Sequence, residues 1–351
     1  LAAFTRALGD LDVVVAAPPS DSAAAEAAGA AVDPIDEPFP LTDTSRRMSR
    51  ARRDALRQEV EMLRLRVRRS SATHAVHMFA DGVLRGLVGR DVGAPLTTLL
   101  FRPRWDFANG PRERGVALAY EGLVAAWRRG RGADAVLTLD PLAARRWQRS
   151  GGAPAFHVPE PPVLSPLPEP GPRRGLAMFG RLAARKGIDH VAAALARYGH
   201  PVSLVLAGSL AEEYGPTLEA LAARMRRDGV ELDLRAWPHD EAQGLEVIAR
   251  ARAVLLPYVG HVGVSRVLLE AAVVGTPVVA HDDGLVGHLV RTRGLGVTAD
   301  CRDPAAFAEA IELLAEDEDA PARHAAALAA FAAEHSAARF EAAVRAPFTR
   351  A

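Results

Sequence analysis

Short apolar runs rich in β-branched residues alternate along the chain with alanine-rich stretches of 10–20 residues. Several runs are almost unbroken, which is typical of strands buried on both faces of a parallel sheet. This alternation predicts βαβ units. The predicted strands are residues 12–17, 74–79, 96–101, 135–139, 155–158, 175–179, 202–207, 231–236, 253–257, 277–280 and 296–299. We therefore expect an α/β protein with two Rossmann-like domains that face each other across a cleft.

A proline-rich stretch separates the two halves of this pattern. Residues 159–175 hold seven prolines in seventeen positions, and proline lacks the amide donor that helices and central strands require. We predict an N-terminal domain over 1–160, a semi-rigid linker over 161–174 and a C-terminal domain over 175–351. Residues 322–346 are predicted to form helices that complete the second domain, with a crossing back to the first as the alternative. A long surface loop inside one domain is the alternative to a linker.

Composition narrows the class of protein. The 351 residues include 43 basic and 43 acidic side chains, and zero net charge argues against nucleic-acid binding through a globally basic face. The single cysteine, Cys301, excludes an internal disulfide and a cysteine-based zinc cluster. No apolar run approaches a membrane span, and no signal-peptide pattern is present, so we predict a cytoplasmic protein. Leu1 lies inside a predicted helix, and we expect a strand ahead of it.

One lysine stands out, because the other 42 basic residues are arginine, a bias typical of high-G+C bacterial genomes. Lys186 lies in GRLAARKG, the turn after predicted strand 175–179. Gly180 makes the turn, and Arg181 and Lys186 would place two cations beside a helix start, an arrangement that suits a diphosphate. Basic residues that simply face solvent are the alternative. A single lysine in an arginine-rich chain favours a site that needs a compact ammonium.

A second group of residues follows predicted strand 253–257, in the sequence YVGHVGVSRVLLEAAVVGTPVVA. Ser265 is a candidate N-cap, which leaves free amides at the helix start for an anion. Glu270 lies in an otherwise apolar helix, where an unpaired buried carboxylate is costly. Its partner is either the diol of a ribose or, as a structural alternative, Arg266 four residues earlier.

These motifs resemble the donor-binding domain of GT-B glycosyltransferases, specifically the family 4 group. GRLxxxKG, the glycine-spaced loop and LLEAxxxGxPVVA occur in the family's order and spacing, and the resemblance spans 175–314. It implies that Glu270 binds the donor ribose and that the base lies at Trp237 and Pro238. It implies that His261 and Val262 lie at the donor sugar. It further implies a diphosphate site formed by Gly180, Arg181, Lys186, Gly263, Val264, Ser265 and Arg266.

The sequence departs from the family pattern in three places. Val262 stands where the family usually has a second glutamate, eight positions before Glu270. The stretch 283–287 is also altered, so recognition of the sugar must differ. Arg102 stands where many relatives have a histidine at the reaction centre, which makes it a candidate catalytic residue; a structural arginine is the alternative.

His77 and Asp81 follow another predicted N-domain strand, four residues apart. We expect them to line the acceptor side of the cleft, where Asp81 would orient a hydroxyl or act as a base. They are therefore candidate catalytic residues together with Arg102. The alternative is a helix cap formed by Asp81 beside a packed His77.

Residues 45–69 contain ten arginines and three acids on a predicted helix. Its apolar face would carry Leu56, Val60, Leu63 and Val67. Some family members touch anionic membrane with such a helix, which predicts peripheral contact with the inner membrane face. A solvated arginine face over a buried apolar stripe is the alternative.

The resemblance implies transfer of a hexosyl group from a nucleotide-diphosphate sugar to an acceptor hydroxyl, with retention of configuration. We expect a glycan, a lipid-linked or a small-molecule acceptor, and no nucleic acid partner. We expect no metal and no other cofactor, because Arg181 and Lys186 would stabilise the leaving diphosphate. The alternatives are a GT-B-like protein that binds nucleotide or glycan without catalysis, and a nucleotide-sugar epimerase.

Overall fold

The structure is a computed structural model that describes residues 2–9, 11–17, 25–34, 50–78, 80–101, 103, 111–129, 132–149, 153–169, 171–237 and 240–349. The chain divides into two compact units. The N-terminal unit combines Leu1–Pro161 with Ala337–Ala351, and the C-terminal unit is Pro162–Ser336. The chain therefore passes between the units twice, once at the proline-rich stretch and once after Ser336.

Two parallel sheets form the framework of the N-terminal unit. The first pairs strands β1 (Val14–Ala17) and β2 (Ala31–Pro34). The second holds four strands in sequence order, β3 (Ala75–His77), β4 (Leu96–Leu100), β5 (Ala135–Thr138) and β6 (Ala155–His157). The described residues of this unit include helices α1 (Ala2–Ala7), α2 (Arg50–Ser70), α3 (Leu84–Leu87), α4 (Pro111–Arg129) and α5 (Pro141–Arg149).

A six-stranded parallel sheet forms the C-terminal unit. Its strands are β7 (Leu176–Phe179), β8 (Val202–Gly208), β9 (Val230–Ala236), β10 (Ala253–Leu256), β11 (Val278–His281) and β12 (Gly296–Ala299). The order across the sheet is β12-β11-β10-β7-β8-β9. The order reverses between β7 and β10, and ligands of such sheets bind beyond the strand ends at this switch point.

Helices cover this sheet and bury an apolar core, in which Ile188, Leu204 and Phe307 have no exposed surface. The helices are α6 (Ile188–Tyr198), α7 (Gly215–Arg227), α8 (Glu241–Arg250), α9 (Arg266–Val273), α10 (Gly284–Arg293), α11 (Pro304–Ala315) and α12 (Ala320–Glu334). All the strands that the sequence predicts are present, and the α/β fold class is confirmed. The additional strand β2 contains an aspartate and a proline, which have low β propensity, so its pattern gave no strand signal.

The last helix, α13 (Ala337–Arg345), belongs to the N-terminal unit. The Phe340 ring packs edge-on against Phe4 with ring centroids 5.1 Å apart, and the Arg345 guanidinium donates to the Ala7 carbonyl oxygen over 3.1 Å. The sequence-based division placed 337–351 in the C-terminal domain, with a crossing back as the alternative. The amphipathic spacing of this helix predicts an apolar face that packs against protein, but it does not identify the unit that the helix packs against.

Helix α2 carries the described part of the arginine-rich segment, and residues 45–49 lie outside the described residues. Leu56, Val60 and Val67 are buried in the core of the N-terminal unit, and Leu63 is partly buried. The apolar stripe is thus covered by protein, as the alternative to membrane contact expects. Within the described residues, no helix is both long and apolar enough to span a bilayer.

Candidate functional site

The turn after β7 places Lys186 at the switch point of the C-terminal sheet. Gly180 has φ +110°, and a Cβ there would lie 3.3 Å from Lys186 Nζ. Residues Ala184–Lys186 form a single 3₁₀ turn, and Gly187 follows with φ +68°. A Cβ on Gly187 would overlap the Pro257 carbonyl oxygen. The two glycines therefore let the ends of β7 and β10 approach each other around the lysine.

Lys186 is a buried cation, with only 7% of its surface exposed. Its Nζ donates to the Tyr258 hydroxyl over 2.7 Å and lies 4.3 Å from the centre of that ring. Among the described residues, no carboxylate forms an ion pair with it. A phenol and a ring face compensate a buried positive charge only in part. The site is therefore suited to an incoming anion.

Glu270 on α9 is a completely buried carboxylate. Neither of its oxygens accepts a hydrogen bond from the described residues, and Arg266 Nε lies 3.4 Å from Oε1 as an ion pair. Burial raises the pKa of Glu270 to about 7, against the opposing effects of Arg266 and Lys186. A dry carboxylate with two unused acceptors matches a ligand that offers two hydroxyl donors.

Arg266 has a second carboxylate partner. It forms an ion pair with Glu241 at the start of α8 and donates to the Pro162 carbonyl oxygen over 3.3 Å. Arg266 was predicted at the diphosphate, or alternatively as the partner of Glu270. The Arg266–Glu270 ion pair is present, and the same guanidinium also pairs with Glu241.

The loop before α9 holds the predicted sugar-side residues. Gly263 has φ +104°, and Ser265 is the N-cap residue, although its side chain makes no capping hydrogen bond. His261 Nε2 lies 3.2 Å from the Val264 carbonyl oxygen, to which it donates, and Val262 is half-buried. The His261 ring faces Tyr258 at 5.4 Å. The loop therefore lies next to Lys186, and the sugar contacts of these residues stay predictions.

Trp237, one of the two residues predicted at the nucleobase, directly follows β9. Trp237 donates its backbone N–H to the Gly208 carbonyl oxygen over 3.1 Å, and its buried indole Nε1 has no hydrogen-bond partner among the described residues. Pro238 lies outside the described residues. An open pocket of about 310 Å³ is lined here by Arg235, Trp237, Gln243, Glu246 and Val247.

Arg181 differs from Lys186, although it follows Gly180 directly. Its side chain is exposed, and within the described part of the chain no hydrogen bond or ion pair involves it. Lys186 turns into the protein whereas Arg181 faces solvent. The structure thus joins Lys186 to Gly180 and Tyr258, and the role of Arg181 stays a prediction.

In the N-terminal unit, His77 ends β3 and pairs with a buried glutamate. His77 Nε2 lies 3.0 Å from Glu59 Oε1. Asp81 Oδ2 accepts a hydrogen bond from the Phe101 amide over 2.8 Å, just beyond β4. Asp81 therefore fixes the end of β4, and the catalytic role predicted for it stays a prediction. Arg102 lies outside the described residues.

Three residues of these sites are absent from the sequence-based set. Tyr258 follows the buried strand β10, and its hydroxyl needs a partner once the ring is buried. Glu241 is the first residue of α8, where an acidic side chain normally interacts with the positive end of the helix dipole. Glu59 interrupts the apolar face of α2, and this interruption could have indicated a buried polar contact. The partners of all three lie far away in sequence, so spacing could not reveal them.

One cluster at the ends of β11 and β12 has metal-ligating side chains. His281, Asp282 and Asp300 place ligand atoms within 4.8 Å of one another. His281 Nδ1 already accepts the Cys301 amide over 3.2 Å. Asp300 pairs with Arg302, whose hydrogen bond holds the pKa of Asp300 at about 2. These contacts already use atoms that a metal would need, and the expectation of a metal-free site stays a prediction.

A six-stranded parallel sheet whose strand order reverses beside a buried cation and a buried carboxylate is a doubly wound α/β architecture, and such folds bind ligands at the switch point. Residues 165–331 match the family model described as "Glycosyl transferases group 1". The match covers just under half of the chain, and it confirms the predicted resemblance to glycosyltransferases of this group.

Two curated mycobacterial proteins are similar over about half of the chain. Glycogen synthase from Mycobacterium tuberculosis is 33% identical over 168 residues, which cover 47% of this chain and 39% of that protein. Alpha-maltose-1-phosphate synthase from Mycolicibacterium smegmatis is 34% identical over 179 residues, with 47% and 45% covered. The match thus spans less than half of each relative.

Solved structures share the fold over more of the chain. Anabaena HepE in complex with UDP has a TM-score of 0.70 at 15% identity, with 99% of this chain and 95% of that chain covered. A UDP-forming trehalose-phosphate synthase from Burkholderia xenovorans has a TM-score of 0.64 at 16% identity, with 87% and 80% covered. These similarities confirm the GT-B fold class.

Proposed function

We propose that the protein transfers a hexosyl group from a nucleotide-diphosphate sugar to an acceptor hydroxyl. The observation that carries the proposal is the pair of buried charges at the switch point. Glu270 offers two unused acceptors for the ribose hydroxyls, and Lys186 offers its ammonium to the diphosphate. A cation fixed where the leaving diphosphate gains charge lowers the barrier without reorganisation.

The donor we propose first is a UDP-hexose. Support comes from solved structures with the same fold, since Anabaena HepE binds UDP and UDP-glucose and the Burkholderia enzyme is UDP-forming. Arg181 would join Lys186 at the diphosphate, and Trp237 would lie near the base. Because fixed cations would neutralise the diphosphate, we propose that transfer needs no metal and that EDTA leaves the rate unchanged.

The acceptor side is proposed for the N-terminal unit, with His77, Asp81 and Arg102 as its polar residues. Similar proteins are named glycogen synthase, alpha-maltose-1-phosphate synthase and trehalose-phosphate synthase. We therefore propose an α-glucan and phosphorylated glucose as the first acceptors to test. We propose retention of configuration, which product anomers measured by NMR would test.

The experiment combines binding and turnover on the full chain. Thermal shift is first recorded with UDP, GDP, ADP and dTDP and with their glucose esters, because a ligand that binds only the folded state raises the melting temperature. Release of nucleoside diphosphate is then measured with and without the acceptor panel. We expect stabilisation by one nucleotide series and release that depends on an acceptor.

Other outcomes would support the alternatives. Tight nucleotide binding without release across an extended acceptor panel would favour a binding protein. A changed sugar without any acceptor would favour an epimerase. No stabilisation by any nucleoside diphosphate would overturn the proposal.

A further inference from the structure

Arg266 connects three segments of the C-terminal unit. On its own helix it faces Glu270 at 3.4 Å, on α8 it pairs with Glu241, and it donates to the Pro162 carbonyl oxygen. Pro162 is the first residue of the C-terminal unit. One guanidinium therefore touches both the buried donor-site carboxylate and the segment through which the chain enters this unit.

Glu241 fixes the same entry segment from the other side. Its Oε2 accepts the Leu164 amide over 3.2 Å and the Ser165 amide over 2.9 Å. Partial burial opposes its charge, but the Ser165 amide and Arg266 outweigh this effect and hold the pKa of Glu241 at about 2. Glu241 is thus a permanent carboxylate at neutral pH, and it competes with Glu270 for Arg266.

Because Glu241 also binds Arg266, Glu270 has a cation that favours its ionised form but, among the described residues, no hydrogen-bond donor on either oxygen. A carboxylate without any cation would be protonated in so dry a site, and a protonated group accepts poorly from two hydroxyls. A carboxylate with two full hydrogen bonds to an arginine would have to lose them before it bound a ligand. Sharing the guanidinium with Glu241 gives Glu270 a charge partner and keeps both of its oxygens unbonded.

The other charged or titratable groups around Glu270 and its partner Arg266 come from three elements. Lys186 faces it from the turn after β7, and Glu241 faces it from α8. At the end of α12, His335 lies within electrostatic reach of Arg266, and burial lowers the pKa of His335, so it is neutral at physiological pH. Arg266 is the group that contacts Glu270 directly.

We propose that Arg266 is a positioning residue for the donor site, which holds the Glu270 carboxylate ready for the ribose and links it through Glu241 to segment 162–165. The inference rests on the proposed function, since Glu270 must bind the donor. It predicts that donor affinity rises with pH as Glu270 ionises and becomes constant above its pKa of about 7. Two substitutions should then move this midpoint in opposite directions.

The test measures binding of UDP-glucose to the full-length protein by calorimetry between about pH 5.5 and pH 8.5. UDP-glucose has no phosphate that titrates in this range. In Arg266→Leu the lost cation should move the midpoint upward by about one pH unit or more, and in Glu241→Gln the midpoint should move downward. Arg266→Lys keeps the charge and should lie between wild type and Arg266→Leu.

A matched control is Arg323→Leu, which removes an exposed arginine paired with Asp317 and should leave the midpoint unchanged. Hydrogen exchange adds a readout that does not depend on binding. Exchange of the Leu164 and Ser165 amides should accelerate several-fold in Arg266→Leu, because Glu241 loses the cation that holds it.

The outcomes separate the two proposals. If wild type binds no nucleoside diphosphate sugar, the proposed function fails. If wild type binds and both variants lower affinity without opposite shifts of the midpoint, Arg266 is only structural and this inference is overturned. Unchanged exchange at Leu164 and Ser165 would overturn the link to the entry segment.

Discussion

Each of the two units contains a buried glutamate, and the two glutamates differ in their surroundings. Glu270 of the C-terminal unit lies between Arg266 and Lys186 and accepts no hydrogen bond from the described residues, whereas Glu59 of the N-terminal unit is bonded to His77 and keeps one oxygen unpartnered. Both side chains are buried. The difference is in the surrounding charge, because Arg266 and Lys186 act on Glu270 whereas a histidine pairs with Glu59. Burial alone therefore does not distinguish the carboxylate that is proposed to bind the ribose.

The largest expected effect comes from removing the buried cation. Lys186→Ala should weaken UDP binding by about 1.5–3 kcal/mol, roughly 10- to 150-fold, because a charge-assisted contact is lost. Calorimetry checks this value. Arg185→Ala is the matched control, since Arg185 is exposed and lies one residue earlier. An equal loss of UDP affinity in both variants would mean that only the net positive charge near the site matters. Lys186 would then not be a specific ligand of the diphosphate, and the two units would no longer differ in this respect.

The second prediction concerns the stability of the ligand-free protein. Folding raises the pKa of Glu270 from 4.5 to about 7, so its ionisation destabilises the fold progressively as pH rises through that window. The unfolding free energy of Glu270→Gln relative to wild type should therefore rise by about 3 kcal/mol between pH 4.5 and alkaline pH. The variant should also lose donor affinity. Urea unfolding at several pH values measures the gain.

The opposite sign is expected for Glu241, which serves as the control. Its pKa is lowered from 4.5 to about 2, so its contribution to stability is present above pH 4.5 and lost as pH falls through 2. Glu241→Gln should therefore cost stability at neutral pH. If Glu270→Gln is no more stable than wild type at alkaline pH, the Glu270 carboxylate of the wild-type protein is neutral or paired there.

The third prediction sharpens the comparison from the other unit. Glu59→Leu leaves the partly buried His77 ring without its partner and should cost about 1–2 kcal/mol of unfolding free energy. UDP affinity should stay at the wild-type value, because Glu59 lies in the N-terminal unit. Glu61→Leu, at an exposed site on the same helix, should cost much less. Should Glu59→Leu weaken UDP binding as strongly as Lys186→Ala, the assignment of nucleotide binding to the C-terminal unit alone would be wrong.

How much of this the sequence predicted depends on the range of each interaction. Strands such as β8 and β10 were found because apolar runs are local signals, and the Arg266–Glu270 pair was named because it spans one helical turn. The contact between Lys186 and Tyr258 joins residues 72 positions apart, and no local pattern encodes it. Lys186 itself was found through composition. The packing of α13 on α1 joins the two ends of the chain, which periodicity does not address.

The smallest expected effect comes from the hydroxyl that faces the lysine. Tyr258→Phe keeps the ring under the Lys186 ammonium but removes its hydrogen-bond acceptor at 2.7 Å. The free protein should lose about 0.5–1.5 kcal/mol of unfolding free energy, because the buried ammonium is then less well compensated. A bound diphosphate supplies the missing acceptor, so saturating UDP should raise the melting temperature at least as much as in wild type. A thermal shift reduced as far as in Lys186→Ala would mean that the hydroxyl itself contacts the ligand. The site would then bind through a lysine–tyrosine pair rather than through a cation that the tyrosine only holds in place.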